Sequence, residues 1–121
     1  MSAEFTTDRP IYLQILDYCL DCIGQGKWQP ESRIPSVKEL SVTMTVNPRT
    51  VMRAYEELSE RGIIFQRRGL GFYVATEALR DVSNLRMQQF ESTVLPEFIT
   101  AMQRAGYPVN RVIEKLREIG I

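Results

Sequence analysis

No histidine occurs anywhere in this chain of 121 residues, cysteine occurs twice, and the formal charge at neutral pH sums to zero. Lack of histidine removes histidine-based triads, the commonest general base and the commonest zinc ligand together. Cys19 and Cys22 form a C-x-x-C pair, but they fall inside a strongly helical segment and not at the start of a helix after a strand. With no other cysteine they fall short of a four-ligand zinc site within one chain, so no metal and no cofactor is expected. They read as two small apolar core residues of a reduced protein. Long hydrophobic runs are missing too: aliphatic and aromatic residues come only in short stretches such as Ile63-Ile64-Phe65, which excludes a membrane span. Met1 to Thr7 has no basic start followed by an apolar stretch, so no secretory signal is expected and the cytoplasm is the default location. What remains is ordinary for a soluble globular protein, with 44% hydrophobic and 25% charged residues. Folding a chain of this size buries roughly 65% of its unfolded surface, enough for a core.

Zero net charge argues at first against nucleic acid, but the distribution matters more than the sum. Residues 1–32 hold two basic and five acidic side chains, and residues 76–121 hold six of each. Residues 33–75 hold seven basic ones (Arg33, Lys38, Arg49, Arg53, Arg61, Arg67, Arg68) against four acidic. The excess positive charge therefore sits on one contiguous segment.

Along that segment the punctuation is clear. A first helix is expected from Pro10, as N1, to about Ile23, with Ile11, Tyr12, Ile15, Leu16, Cys19 and Ile23 on its apolar face. Gly24 and Gly26 stop it, and Lys27–Arg33, containing a packed Trp28, reads as an irregular connection. Ser36-Val37-Lys38-Glu39 is an S-x-x-E capping box, in which Ser36 and Glu39 satisfy each other's backbone N–H. The short helix it opens carries Val37, Leu40 and Met44 on one face. Asn47-Pro48 restarts the chain as N-cap and N1 of a third helix to about Arg61, with Val51, Ala54, Tyr55 and Leu58 inward and Gly62 as its cap. Helix, a turn of about three residues, then helix is helix-turn-helix spacing. After Gly62 the period changes: Ile63–Gln66 and Phe72–Ala75 read as strands around Arg67-Arg68-Gly69-Leu70-Gly71, a hairpin with a doubly basic, glycine-bracketed tip. Such a hairpin directly after a helix-turn-helix is a wing.

These residue types suit duplex DNA. In a helix-turn-helix the second helix enters the major groove with its N-terminal residues toward base edges, here Asn47, Arg49, Thr50 and, one turn on, Arg53. Arginine can hold guanine O6 and N7 in a bidentate grip, and asparagine can do the same for adenine. Ser36, Lys38 and the free N–H groups of the preceding helix suit phosphate oxygens. At the wing, Arg67 and Arg68 supply charge, while Gly69 and Gly71 allow close approach of backbone. Each signal alone is weak, since helical arginines are often solvated and basic turns are common. Their order along the chain is what carries weight.

The strings Ile34-Pro35-Ser36-Val37-Lys38-Glu39-Leu40 and Val46-Asn47-Pro48-Arg49-Thr50-Val51-Met52-Arg53-Ala54-Tyr55-Glu56-Glu57-Leu58 resemble the GntR family of bacterial transcription regulators. The likeness continues through Gly62-Ile63-Ile64 and Arg67-Arg68-Gly69-Leu70-Gly71-Phe72-Tyr73-Val74, and Pro10-Ile11-Tyr12-Leu13-Gln14-Ile15 looks like that family's opening helix. The Asn-Pro-x-Thr-Val…Arg-Ala-Tyr form and the short tail resemble its YtrA subfamily. The resemblance implies phosphate contacts at Ser36 and Lys38, base contacts at Asn47, Arg49, Thr50 and Arg53, and wing contacts at Arg67, Arg68, Gly69 and Gly71. Two positions depart from it: Pro48 stands where some relatives carry arginine, and Leu70 where YtrA-like proteins are usually basic.

The expected architecture is thus mainly α with one small β-hairpin: a winged helix-turn-helix over residues 9–76, then a two-helix dimerisation tail over 77–121. In the tail, Phe90, Val94, Leu95, Phe98, Ile99 and Met102 lead to Gly106, and Pro96 should kink the run or begin a new helix. Val109, Val112, Ile113, Leu116 and Ile119 make a final amphipathic helix. Two such helices leave apolar surface exposed unless they fold back on the winged domain or meet a second copy. A homodimer is the preferred reading, with Phe90, Val94, Phe98, Met102, Val112 and Leu116 as contacts. The function expected is a sequence-specific DNA-binding regulator, a repressor acting as a homodimer on a palindromic operator. A winged-helix protein-interaction module without DNA binding is the alternative, and no pattern points to an enzyme.

Overall fold

The structure, a computed structural model, describes residues 5–121. It comprises two compact units, one ending at Asn84 and the other spanning Leu85–Ile121. Ala78 and Val82, in the helix that follows the hairpin, are buried in the first unit.

Three helices and a hairpin build the first unit. Helix α1 spans Ile11–Gly24, α2 Val37–Met44 and α3 Pro48–Glu60, followed by strands β1 Ile64–Arg67 and β2 Gly71–Val74. Pro10 is not the first helical residue but the N-cap of α1: its ψ of 141° is extended, and its carbonyl accepts from Leu13 and Gln14. The buried face of α1 is Ile15, Leu16, Cys19, Leu20, Cys22 and Ile23, so Ile11 is left exposed while Leu20 and Cys22 join the core. Burial pushes the ionisation of both Cys19 and Cys22 up, which keeps these thiols protonated and unreactive.

Leu40 and Met44 of α2 and Val51, Ala54, Tyr55 and Leu58 of α3 complete the core against α1 and the hairpin. Tyr55 ties three elements together. Its ring is fully buried and meets Phe72 of β2 edge-on at 5.1 Å, while its hydroxyl donates to the Pro35 carbonyl at 2.7 Å. Burial raises its ionisation far out of the physiological range, so it remains a neutral donor.

The strands are antiparallel, with Ile64 opposite Val74, Phe65 opposite Tyr73, Gln66 opposite Phe72 and Arg67 opposite Gly71. Both strands lie one residue nearer the tip than expected. Arg67 and Gly71 belong to the ladder, which leaves Arg68, Gly69 and Leu70 as the loop. The expected irregular connection also runs differently at its end, because residues 31–34 lie along β2. Glu31 N–H donates to the Val74 carbonyl, Val74 N–H to the Ser32 carbonyl, and Ile34 N–H to the Phe72 carbonyl, all at 2.8–2.9 Å. Each of those backbone groups would otherwise be left without a partner beside the core.

The second unit begins with the last turn of α4, Ala78–Gln89. A π-helical turn, Phe90–Val94, leads into α5, Leu95–Ala105, and α6 covers Val109–Glu118. Pro96 is the cause of the wide turn. It has no N–H and its ring would strike the carbonyl four residues back, so the turn expands and Leu95 N–H bonds to Phe90 five residues earlier. Gly106, at φ +62°, ends α5 in the left-handed region, where Tyr107 N–H closes on the Met102 carbonyl at 3.0 Å. Among the described residues no helix is long and apolar enough to cross a membrane.

Candidate nucleic-acid interface

The start of α2 is capped as the sequence dictates. Glu39 N–H donates to the Ser36 hydroxyl and Ser36 N–H donates to the Glu39 carboxylate, both at 3.0 Å. The hydrogen bond from the Ser36 backbone holds the Glu39 carboxyl below its ordinary range. The Ser36 hydroxyl accepts in this box and also bonds to the Glu39 carboxylate, which adds to that lowering. The first-turn N–H groups beside it point out of the helix, and Lys38 is exposed with no carboxylate near it among the described residues.

Between the helices the turn is Thr45-Val46-Asn47, with Thr45 left-handed at φ +57°. Asn47 then caps α3: its side-chain oxygen accepts from Arg49 N–H at 2.9 Å, which leaves its amide NH₂ as the outward donor. Pro48 takes the first helical position. Beyond it, Arg49 is exposed and its guanidinium meets no carboxylate or ring among the described residues, while Thr50 is half-buried. Arg53, exposed one turn on, lies over the ring of Tyr12.

At the wing the four expected residues separate into two kinds. Arg67 lies back over the sheet, 4.6 Å from the Tyr73 ring and 5.4 Å from that of Phe65. Only Arg68 is left as a basic side chain on the loop. Gly69 makes the turn, with φ +76° at its third position and Leu70 N–H donating to the Arg67 carbonyl at 2.9 Å. Gly71 serves a close approach: a β-carbon there would stand 3.0 Å from Nε of Arg33. Leu70 is 60% exposed at the tip.

Two further residues enter the site that the sequence does not place there. Arg33 runs past Gly71 toward Glu39, with Nη2 3.9 Å from its carboxylate, and so joins the base of the wing to the start of α2. Only its basic charge and its place before Ile34 hint at this, because the segment that carries it meets β2, at Tyr73, across the fold. Tyr12 belongs by its spacing to the apolar face of α1, and nothing local distinguishes a packed tyrosine from a platform.

The site thus presents, on successive elements, a helix N-terminus with a hydroxyl and a lysine, a second helix N-terminus with two arginines, and a hairpin with a basic loop. Comparison with known proteins settles what this arrangement belongs to. Residues 11–74 match the family described as bacterial regulatory proteins, gntR family. The chain belongs to the GntR family. It is 33% identical over 110 residues to the HTH-type transcriptional repressor YtrA of Bacillus subtilis, covering 91% of this chain and 84% of that protein. A GntR family transcriptional regulator from Listeria monocytogenes superposes with a TM-score of 0.80 at 31% identity, covering 94% of this chain and 98% of that one. AraR(DBD) in complex with operator ORX1 is also similar, with a TM-score of 0.55 at 28% identity over 62% of this chain and 92% of that one. This GntR chain is a DNA-binding transcription regulator and not an enzyme.

The tail residues expected at a dimer contact lie on the second unit. Phe98, Met102, Val112 and Leu116 share one open apolar groove of about 420 Å³ between α5 and α6, together with Ala101, Ala105, Tyr107 and the stem of Lys115. Phe90 and Val94 are half exposed on the π-helical turn before it. No residue from Leu85 to Ile121 is buried.

Proposed function

We propose that this GntR chain represses transcription as a homodimer that binds a palindromic operator in the bacterial cytoplasm. The observation that carries the reading is the tail: Phe90, Val94, Phe98, Ile99, Leu116 and their neighbours lie open, though removing each such side chain from water is worth about 1.5–3 kcal/mol. A second copy of the same groove covers them, and twofold symmetry then sets two reading heads on two half-sites about one helical turn apart. On each half-site, Ser36 and Lys38 hold phosphate. Asn47, Arg49, Thr50 and Arg53 face base edges, and the wing lays Arg68 and the Gly69 turn on the adjacent backbone. The residues up to about 76 carry recognition and those from 77 onward carry pairing. Repression follows if the occupied palindrome overlaps a promoter, and it accords with the name of the Bacillus subtilis relative.

Sedimentation equilibrium with and without duplex tests this. The expected result is a dimer that binds one palindrome, together with a Phe98→Asp variant that is monomeric and binds half-sites only. A folded wild-type monomer that binds a palindrome one copy at a time overturns the dimer. A promoter–reporter fusion that rises when the protein is added overturns repression.

A further inference from the structure

Arg49 and Arg53 share a face of α3, yet they are held differently. Arg49 meets no ring or carboxylate among the described residues, whereas the guanidinium carbon of Arg53 lies 3.7 Å from the centroid of the Tyr12 ring, on α1. That separation is the contact thickness of two flat π systems, so the guanidinium lies flat on the ring and does not aim an N–H at it. A flat stack uses the face of the guanidinium and leaves its N–H edge, the edge that meets guanine O6 and N7, free to donate. Arg53 makes no ion pair within 4 Å among the described residues. Glu57, one turn on, is engaged by Arg61 at 3.9 Å. Tyr12 itself stands at the rim of the α1–α3 contact, half-buried between exposed Ile11 and fully buried Ile15. Its ring is partly covered and faces Arg53 of α3.

We propose that Tyr12 is a positioning residue for base reading: its ring holds Arg53 in one rotamer, so the side chain is already ordered when DNA arrives. A long arginine otherwise loses much of its rotamer freedom on binding, and a stacked one has lost it beforehand. The proposal rests on reading α3 as the base-contacting helix. It adds a residue of α1, which need touch no DNA, to the determinants of sequence preference.

The test uses the full chain, a duplex recovered by the wild-type protein from a random pool, and a scrambled duplex of equal length. Tyr12→Met should weaken binding to the selected duplex roughly tenfold and leave the scrambled one unchanged, with Tyr12→Phe restoring affinity to within about twofold. Tyr12→Met combined with Arg53→Ala should bind no more weakly than Arg53→Ala alone. Equal losses on both duplexes, additive losses in the double variant, or failure of Tyr12→Phe to rescue would each overturn the proposal. Should Tyr12→Met not fold, the free wild-type protein answers by NMR. The Arg53 δ-methylene protons, assigned by their disappearance in Arg53→Lys, should lie upfield of ordinary arginine; unshifted wild-type protons overturn the stack. A wild-type protein that selects no sequence overturns base reading by α3 and this role with it, while the upfield shift persists, which separates the two failures.

Discussion

The two units of this regulator are both rich in apolar side chains and use them in opposite ways. In the first, Ile15, Leu20, Leu40, Val51, Tyr55, Leu58, Ile63, Ile64 and Val74 are all but sealed from solvent. In the second, Phe90, Val94, Phe98, Ile99, Ile113 and Leu116 lie 41–50% exposed, and not one residue is buried. Geometry explains the contrast. Three helices and a hairpin enclose a volume, so each apolar face finds another across it. Two short helices joined at Gly106 make a trough with one side open. Apolar content therefore says that a surface will be covered, and topology says by what.

Substitutions can break this comparison, beginning with the largest effect. Leu58→Ala should lower the unfolding free energy by about 2–5 kcal/mol, because it opens a cavity in a closed core, and the loss should not depend on protein concentration. If the proposed dimer forms, Leu116→Ala should instead change melting chiefly through concentration, since a second copy would cover the exposed part of that side chain; equal, concentration-independent losses would remove the distinction. Next, Arg49→Ala should cost about 1–3 kcal/mol of operator binding and relax one base preference with the melting temperature unchanged, whereas Lys38→Ala should weaken all duplexes alike. Base-selective loss from Lys38→Ala, read by competition binding, would reverse those two roles. Tyr55→Phe comes third: it keeps the packing against Phe72 but strands the Pro35 carbonyl, for about 1 kcal/mol in denaturant unfolding. The smallest effect concerns pH. The Glu39 carboxyl is held below its ordinary value in the folded state, so it adds stability above that ordinary value and loses it as the pH falls through the folded one. Glu39→Gln should lower the neutral plateau of a stability–pH curve toward its acid end, flattening the acid limb and leaving the stability at the acid end unaltered; an unchanged acid limb would show the capping box to be thermodynamically silent.

Legibility followed the range of the interactions. The capping box at Ser36 and Glu39, the Asn47 cap with Pro48 behind it, and the glycine end of α5 could be read from the chain because each is satisfied within about four residues. The helix-turn-helix spacing and the hairpin followed from these stops and from the change of period after Gly62. Pro96 announced a disturbance, but not its form, because a kink, a break and a π-helical turn all relieve the same missing N–H. The pairing of residues 31–34 with β2 was out of reach, since it joins segments about forty residues apart through backbone groups that carry no sequence signature.

The candidate site divides along the same line. Its residue types, their order and the local excess of positive charge were determined by the sequence alone, because caps, turns and charges are properties of neighbours along the chain. Which of those residues stand free was decided by the tertiary structure. Arg67 is laid back over Tyr73 and Phe65, Gly71 is filled by Arg33, and Arg53 is set on Tyr12. These contacts are fixed by how the helices and the hairpin pack, and only packing can bring a ring on α1 beneath an arginine on α3.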